Sequence, residues 1–295
     1  MKTVLVAIDP QHDAGQTLAR AAQLSSQHQA TVHILHVIDD TGVGELGMRD
    51  AVEQRTRETL DAFVQAAGFG ATPTLQIEFG VPHRCVAHAA EALAADVIVI
   101  GPGQPSTMMQ RMFGSTADRI VRTATAPVLV VRNESAQRYR HVAVALDFSP
   151  LSEAALVAAR TLAPEARIEL VHAYEIPLPF EQAMLRSGVR PEDAEHFRQS
   201  KLNDCHDQLL DLARRHALEK HTIILRGAPG AALVELSRSG RADLIALGTQ
   251  GRNAAAQALL GSVARRLLLG AECDVLVVAP GLLMPSASSG TEGEP

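Results

Sequence analysis

The two halves of the 295-residue chain repeat the same landmarks in the same order. The opening stretch "TVLVAIDP" returns as "HVAVALDF", so that Asp9 and Asp147 stand 138 positions apart. "VHILHVID" returns as "IELVHAYE", "FGVP" as "RGAP", "ADVIVIG" as "ADLIALG" and "APVLVVR" as "CDVLVVA", and at Gly101 and Gly248 the shift is 147 positions. Landmarks that keep their order at a nearly constant spacing predict a tandem duplication.

Each copy alternates short apolar runs with segments of helical period. In the first copy the runs occupy residues 3–8, 31–38, 74–79, 96–100 and 127–132, and the helical segments about 14–28, 45–67, 83–93 and 114–124. Runs of Val, Ile and Leu without polar alternation are typical of strands buried on both faces. Because helices separate these runs, each copy is predicted to be an α/β domain with a parallel sheet built from βαβ units.

We place the first domain at residues 1–133 and the second at residues 140–281, with the polar stretch "NESAQRYR" between them. Residues 282–295 are mostly small and polar, a composition that predicts a disordered tail.

The shift between the copies grows by 11 positions between His172 and Gly227. This predicts an insertion in the second copy, within about residues 174–221. Inside it, Phe180, Met184 and Leu185 form an apolar cluster at about helical spacing. Such a cluster either packs on its own domain or covers a pocket or a partner surface.

Composition excludes several classes of protein. The chain is 46% hydrophobic and 20% charged, which is typical of globular proteins, and its longest apolar runs fall well short of a membrane span. A net charge of -6 and an aromatic content of 3% argue against nucleic-acid binding. Cys85, Cys205 and Cys273 belong to no motif, and "MKTVLVAIDP" enters a strand pattern at once, so we expect reduced thiols, no export signal and a cytoplasmic location.

No catalytic or metal motif stands out. The twelve histidines include no HExxH, there is no CxxC, and there is no G-x-S-x-G nucleophile elbow. We therefore assign no catalytic residue and no metal site held by protein ligands alone.

The stretch "GTQGRNAAAQALLGS" carries the strongest binding signal. It follows an apolar run and precedes a helical segment, with Gly248, Gly251 and Gly261-Ser262 at a spacing of G-x2-G-x9-G-S. Glycine permits close approach to an anion and positive φ, and the N–H groups of such a turn and of the next helix attract phosphate. Arg252 adds a positive charge. The spacing differs from the P-loop, and the alternative is a turn glycine followed by an ordinary Ser N-cap.

A strand-end aspartate is expected to face the same place. Asp147 ends the first strand of the second copy, and in an open parallel sheet ligands bind at the carboxyl ends of strands where the strand order reverses. The alternative is a turn residue that caps the next helix. "DFSPLSEAAL" supports this in part, because Ser149 and Ser152 are suitable N-caps and Pro150 suits a first turn.

The combined pattern resembles the universal stress proteins, over roughly residues 1–281. The shared marks are the strand-end Asp, "LHV", the G-x-P turn, the glycine motif and "PVLVV". The resemblance implies two tandem doubly wound, Rossmann-like domains, each with a five-stranded parallel sheet of order 3-2-1-4-5 flanked by helices. It also implies ATP binding where the glycine motif is intact, with or without Mg2+, and a role as a stress-response regulator.

The resemblance further implies that the halves pair through their last strands as an intramolecular pseudo-dimer. It leaves open whether two chains also form a homodimer. It is compatible with slow ATP hydrolysis or autophosphorylation. The rival reading is a scaffold that binds no nucleotide and acts through partner proteins or an apolar ligand.

Carried over to the second copy, the resemblance implies a complete nucleotide site. Asp147 and the backbone of Ala173 would meet adenine or ribose. Ribose and phosphates would be held by Gly248, Gly251, Gly261, Ser262 and Val263, with Arg252 as a further candidate.

The first copy departs from the motif. Its matching positions are Asp9, Val37, Gly101, Gly114 and Ser115. The middle glycine is replaced by Gln104, a glycine stands one place early at Gly103, and Pro102 and Pro105 lack an N–H donor. Nucleotide binding is therefore expected mainly in the second copy.

Overall fold

A computed structural model describes residues 1–12, 14–39, 49–103, 115–134, 136–175, 186–187, 190–218, 221–251 and 260–283. The first half contains β1 (Thr3–Ala7), α1 (Ala14–His28), β2 (Thr31–Ile38), α2 (Arg49–Ala67), β3 (Thr74–Phe79), α3 (Pro82–Ala92), β4 (Val97–Ile100), α4 (Ser115–Thr123) and β5 (Val128–Val130). Each of these strands lies inside a predicted apolar run, so the patterning located them correctly.

The second half repeats this order. It contains β6 (His141–Ala145), α5 (Pro150–Leu162), β7 (Arg167–Tyr174), α6 (Pro191–Arg215), β8 (Thr222–Arg226), α7 (Pro229–Arg238), β9 (Leu244–Gly248), α8 (Ser262–Gly270) and β10 (Asp274–Val278), followed by a 3-10 turn at Pro280–Leu283. The first two residues of the predicted disordered tail belong to that turn. The rest of the tail, and the cluster of Phe180, Met184 and Leu185, lie outside the described residues.

The ten strands form one sheet of order β3-β2-β1-β4-β5-β10-β9-β6-β7-β8. Within each half the strands are parallel and follow the order 3-2-1-4-5, which confirms the predicted fold. Between the halves, β5 pairs with β10 in the antiparallel direction, with Leu129 opposite Leu276. The sheet therefore continues from one half into the other.

Both faces of the sheet are covered by helices. Val4 and Val6 of β1 belong to one apolar cluster and Leu5 to the other, because successive side chains of a strand point to opposite faces. Each cluster includes residues of both halves. Fully burying one such side chain stabilises the fold by about 1.5–3 kcal/mol, so the repeated Val, Ile and Leu runs account for the layered core.

An aspartate at the start of one strand anchors its neighbour in each half. Asp96, before β4, accepts hydrogen bonds from the backbone N–H groups of Lys2 (2.5 Å) and Thr3 (2.9 Å). Asp243, before β9, accepts bonds in the same way from the backbone at the start of β6. The aspartate of each "AD" landmark thus holds two central strands in register, and this aligns their opposite, carboxyl ends.

Across the described residues, no helix combines the length and the apolar character needed to cross a lipid bilayer.

Candidate functional site

A crevice of about 360 Å³ opens at the carboxyl ends of β6, β7 and β9. The chain continues from β6 to β7 on one side and from β9 to β10 on the other, so the strand order reverses between β6 and β9. Such a switch point is where open α/β sheets bind ligands. The crevice brings together Asp147, Ala173, Gly248, Gly251, Gly261, Ser262 and Val263 of the predicted site. Arg252 lies outside the described residues.

The two oxygens of Asp147 have different surroundings. Oδ1 accepts hydrogen bonds from the N–H (3.1 Å) and the hydroxyl (2.5 Å) of Ser149. Ser149 itself is the N-cap of α5 and accepts a bond from the N–H of Ser152, so the capping role belongs to the serine. Oδ2 lies beside the glycine loop, 2.9 Å from where a Cβ of Gly251 would stand. Asp147 therefore shapes its turn with one oxygen and borders the crevice with the other.

The three motif glycines supply space. A Cβ on Gly248 would lie 2.9 Å from the Cβ of Leu151, and one on Gly261 would lie 2.8 Å from the carbonyl oxygen of Thr249. None of the three adopts a positive φ. Of the two properties that glycine offers, close approach and positive φ, the close approach of the chain to itself is the one that requires glycine here.

Helix α8 presents its N-terminus to the crevice. Its N-cap is Gly261, which has no side chain to cap with, and the N–H of Arg265 donates to the Gly261 carbonyl (2.9 Å). The N–H groups of Ser262 and Val263 therefore have no partner within the helix. The alternative of an ordinary Ser N-cap was wrong, since Ser262 is the first helical residue and is exposed at the crevice.

The turn after Asp147 is held in an uncommon conformation. Phe148 has a φ of 62°, which costs a non-glycine residue about 1–2 kcal/mol. Its ring packs on His172 with 4.9 Å between ring centroids, and His172 Nδ1 donates to the carbonyl of Leu146 at 2.7 Å. Sequence reasoning weighed the histidines only as metal ligands. Here the imidazole bridges the ends of β6 and β7 and supports the turn that carries Asp147.

The first half keeps a crevice of about 250 Å³ at the matching place. It is lined by the predicted residues Asp9, Val37, Gly101 and Gly103, and Gly103 has a φ of 68°. Gly114 lies outside the described residues, and Ser115 is the first residue of α4.

The strand-end aspartate of the first half has a different partner. Asp9 Oδ2 lies 2.9 Å from Nδ1 of His12, and its Oδ1 accepts a bond from the N–H of Gln11 at 3.0 Å. In the second half the position of His12 is taken by Pro150. The two crevices therefore share a fold and differ in the groups that face a ligand.

Among the described residues, no group of three or more His, Cys, Asp and Glu side chains is placed to hold a metal ion.

The family model of the universal stress proteins matches the chain twice, over residues 1–132 and 138–279. A universal stress protein of Mycolicibacterium smegmatis is 25% identical over 303 residues, covering 94% of this chain and 97% of that protein. One from Thermus aquaticus is 35% identical over 132 residues, covering 42% of this chain and 86% of its own length. The solved structure of an Archaeoglobus fulgidus universal stress protein superposes with a TM-score of 0.67 at 18% identity, covering 94% of this chain and 96% of the other, and so supports the shared fold.

Proposed function

The chain belongs to the universal stress protein family, and from that premise we propose that its second half binds ATP in the crevice at the ends of β6, β7 and β9. One observation carries the proposal. The carboxylate of Asp147, the glycine loop and the N-terminus of α8 converge on a single crevice. A nucleotide requires such a combination: an acceptor for its hydroxyl groups, a backbone that allows close approach, and N–H donors for its phosphates.

Each group has a role in this proposal. Asp147 Oδ2 accepts a hydrogen bond from a ribose hydroxyl or the adenine amino group, and the backbone of Ala173 meets adenine. The N–H groups of Ser262 and Val263 donate to phosphate oxygens, which also lie at the positive end of the helix dipole. Arg252 and a Mg2+ ion brought by the nucleotide would neutralise the remaining phosphate charge.

We propose that the first half binds nucleotide weakly or not at all. Pro105 stands where the second half has Arg252, so its loop lacks both that positive charge and one N–H donor. Gln104 stands at the position of Gly251, where a side chain would approach the strand-end aspartate. The expected stoichiometry is one nucleotide per chain.

We further propose that the protein is a cytoplasmic stress-response regulator whose two domains, residues 1–133 and 140–281, work as an intramolecular pseudo-dimer. The antiparallel pairing of β5 with β10 supports the pseudo-dimer. The glycine loop and the start of α8 lie at the rim of the crevice, so nucleotide occupancy changes the surface that a partner protein meets.

Calorimetry on the full-length chain, with and without Mg2+, tests ATP binding. In Gly251→Gln a side chain would enter the space beside Asp147, so we expect the ATP affinity to fall by about 10-fold or more. Gly70→Gln is the matched control, because a Cβ at Gly70 meets nothing within 4 Å and the residue lies at the amino end of β3, away from the crevice. We expect this variant to bind as the wild type does.

Two results would overturn the proposal. One is a wild-type chain that binds no ATP under either condition, and the other is a Gly251→Gln variant of unchanged affinity. Native mass spectrometry of the freshly purified chain adds a stoichiometry: one nucleotide supports the asymmetry, two contradict it, and a lipid mass favours the scaffold reading.

A further inference from the structure

Thr249 carries an unpaired hydroxyl in the wall of the second crevice. The residue follows β9 directly and lines the crevice, yet it is only 2% exposed. Its Oγ1 is buried and has no hydrogen-bond partner among the described residues. Neither the strand pattern nor the glycine spacing singled out this residue.

The backbone of Thr249 is fully engaged, so the main chain is fixed in the crevice wall and only the side chain is able to rotate. Its N–H donates to the carbonyl of Val278 at 2.8 Å, and its own carbonyl accepts from the N–H of Gly261 at 2.7 Å. These two bonds tie the end of β9 to β10 and to the start of α8. Within the described part of the chain, the hydroxyl is the one polar group of the residue that remains without a partner.

A buried hydroxyl without a partner is unusual and costs stability, because the group has lost its hydrogen bonds to water. Fold packing does not account for it here, since a valine of the same shape would fill the site with no such cost. A ligand in the crevice would supply the missing partner.

We propose that the Thr249 hydroxyl donates a hydrogen bond to a phosphate oxygen of the bound nucleotide and so selects phosphorylated ligands over nucleosides. The inference rests on the nucleotide site proposed above. It assigns the bond to a phosphate because Thr249 contacts Gly261, directly before the N-terminus of α8, where the phosphates are expected. The matching residue of the first half is Pro102, which has neither a hydroxyl nor an N–H.

The test compares Thr249→Val and Thr249→Ser with the wild type in the full-length chain. Calorimetry with ATP, AMP and adenosine gives the selectivity. A hydrogen bond to a charged oxygen is worth about 10-fold in affinity, so Thr249→Val should bind ATP about 10-fold more weakly. Its affinity for adenosine should stay within about 2-fold of the wild type, and Thr249→Ser, which keeps the hydroxyl, should retain most of the ATP affinity.

Thermal unfolding without ligand supplies a second readout. Since Thr249→Val removes an unpaired buried hydroxyl, its midpoint should equal or exceed that of the wild type. A lower midpoint, with an unchanged ratio of ATP to adenosine affinity, would mean that the hydroxyl already has a protein or water partner, and would overturn this inference alone. A wild-type chain that binds no ATP would overturn the proposed function as well.

Discussion

The atoms nearest to each glycine of the second crevice determine whether a larger residue could replace it. Gly261 meets the backbone carbonyl of Thr249, which cannot move aside, whereas Gly251 meets the side-chain oxygen of Asp147. Sequence reasoning identified both glycines and Asp147, because the motif spacing and the strand end are local features. It left open why glycine is needed and which residue caps α8, because a close approach between loops has no trace in either loop's own sequence.

The thiol of Cys273 is buried and should react slowly with thiol reagents. Burial, followed in importance by the charge of Asp274, raises its pKa to about 12, so the thiol stays protonated at pH 8, where thiolate is the reactive form. Cys85 and Cys205 are half-buried. We expect Ellman's reagent at pH 8 to label two thiols in the folded chain and the third only after denaturation.

Cys273→Ser is the control for this assignment. It should leave the native titre at two thiols and lower the denatured titre by one. Rapid labelling of three thiols in the folded wild type would contradict the prediction.

The paired strands β1 and β4 show how one side chain sets the position of an element. Asp96 holds the amino end of β1 through two backbone N–H groups. Partial burial acts to raise its pKa, but these two hydrogen bonds, together with the positive charges of the Met1 amino group and of Lys2, outweigh it and the pKa is lowered. The strands were predictable because buried parallel strands are uniformly apolar. The role of Asp96 was not, because in the sequence this residue is only one letter of the repeated stretch "ADVIVIG".

Asp96→Ala should therefore destabilise the chain at neutral pH. We expect the free energy of unfolding to fall by about 1 kcal/mol. This is at the low end for the loss of two hydrogen bonds, because the carboxylate is exposed to solvent. A lowered pKa means that the carboxylate's contribution is present above its unfolded pKa of 3.8 and disappears as the pH falls through the folded pKa. The two unfolding curves should thus begin to converge as the pH falls below 3.8.

Urea unfolding at several pH values measures this difference. Asp61→Ala, an exposed carboxylate on α2, is the matched control and should change stability little at any pH. A constant difference between Asp96→Ala and the wild type from pH 7 to pH 3 would contradict the assignment.

In the whole molecule, one buried carboxylate joins the two halves. Asp274, fully buried at the start of β10, accepts hydrogen bonds from Arg20 Nε of α1 (3.1 Å) and from the hydroxyl of Tyr139 (2.5 Å). It also accepts bonds from the backbone N–H groups of Arg132 (2.7 Å) and Asn133 (2.8 Å), where the first half ends. Burial, reinforced by the charge of Asp274, raises the pKa of Tyr139 well above its usual value. The same carboxylate thus contacts the first domain, the connecting segment and the second domain.

Removing this carboxylate should loosen the whole chain. In Asp274→Ala the guanidinium of Arg20, 2% exposed, would remain buried without its ion-pair partner. Breaking a buried pair in this way costs about 3–5 kcal/mol. Equilibrium urea unfolding of the full-length chain is the measurement.

The control is the exposed ion pair of Arg138 and Glu165, which lie 2.8 Å apart near the same junction. Glu165→Ala should cost less than about 1 kcal/mol, because solvent screens the pair. The prediction for Asp274 fails if the free energy of unfolding of Asp274→Ala also lies within about 1 kcal/mol of the wild type.

The sequence was sufficient for the duplication, for the strands and helices of each copy and for the glycine motif. Apolar periodicity and turn residues report local burial, and the resemblance to a family added the strand order. The tertiary structure was needed for the partners of Asp274, for the unpaired hydroxyl of Thr249 and for the space beside each glycine. The physical reason is distance along the chain. Arg20 and Asp274 are separated by 254 positions, and only the packing of the two halves into one sheet brings their charges together.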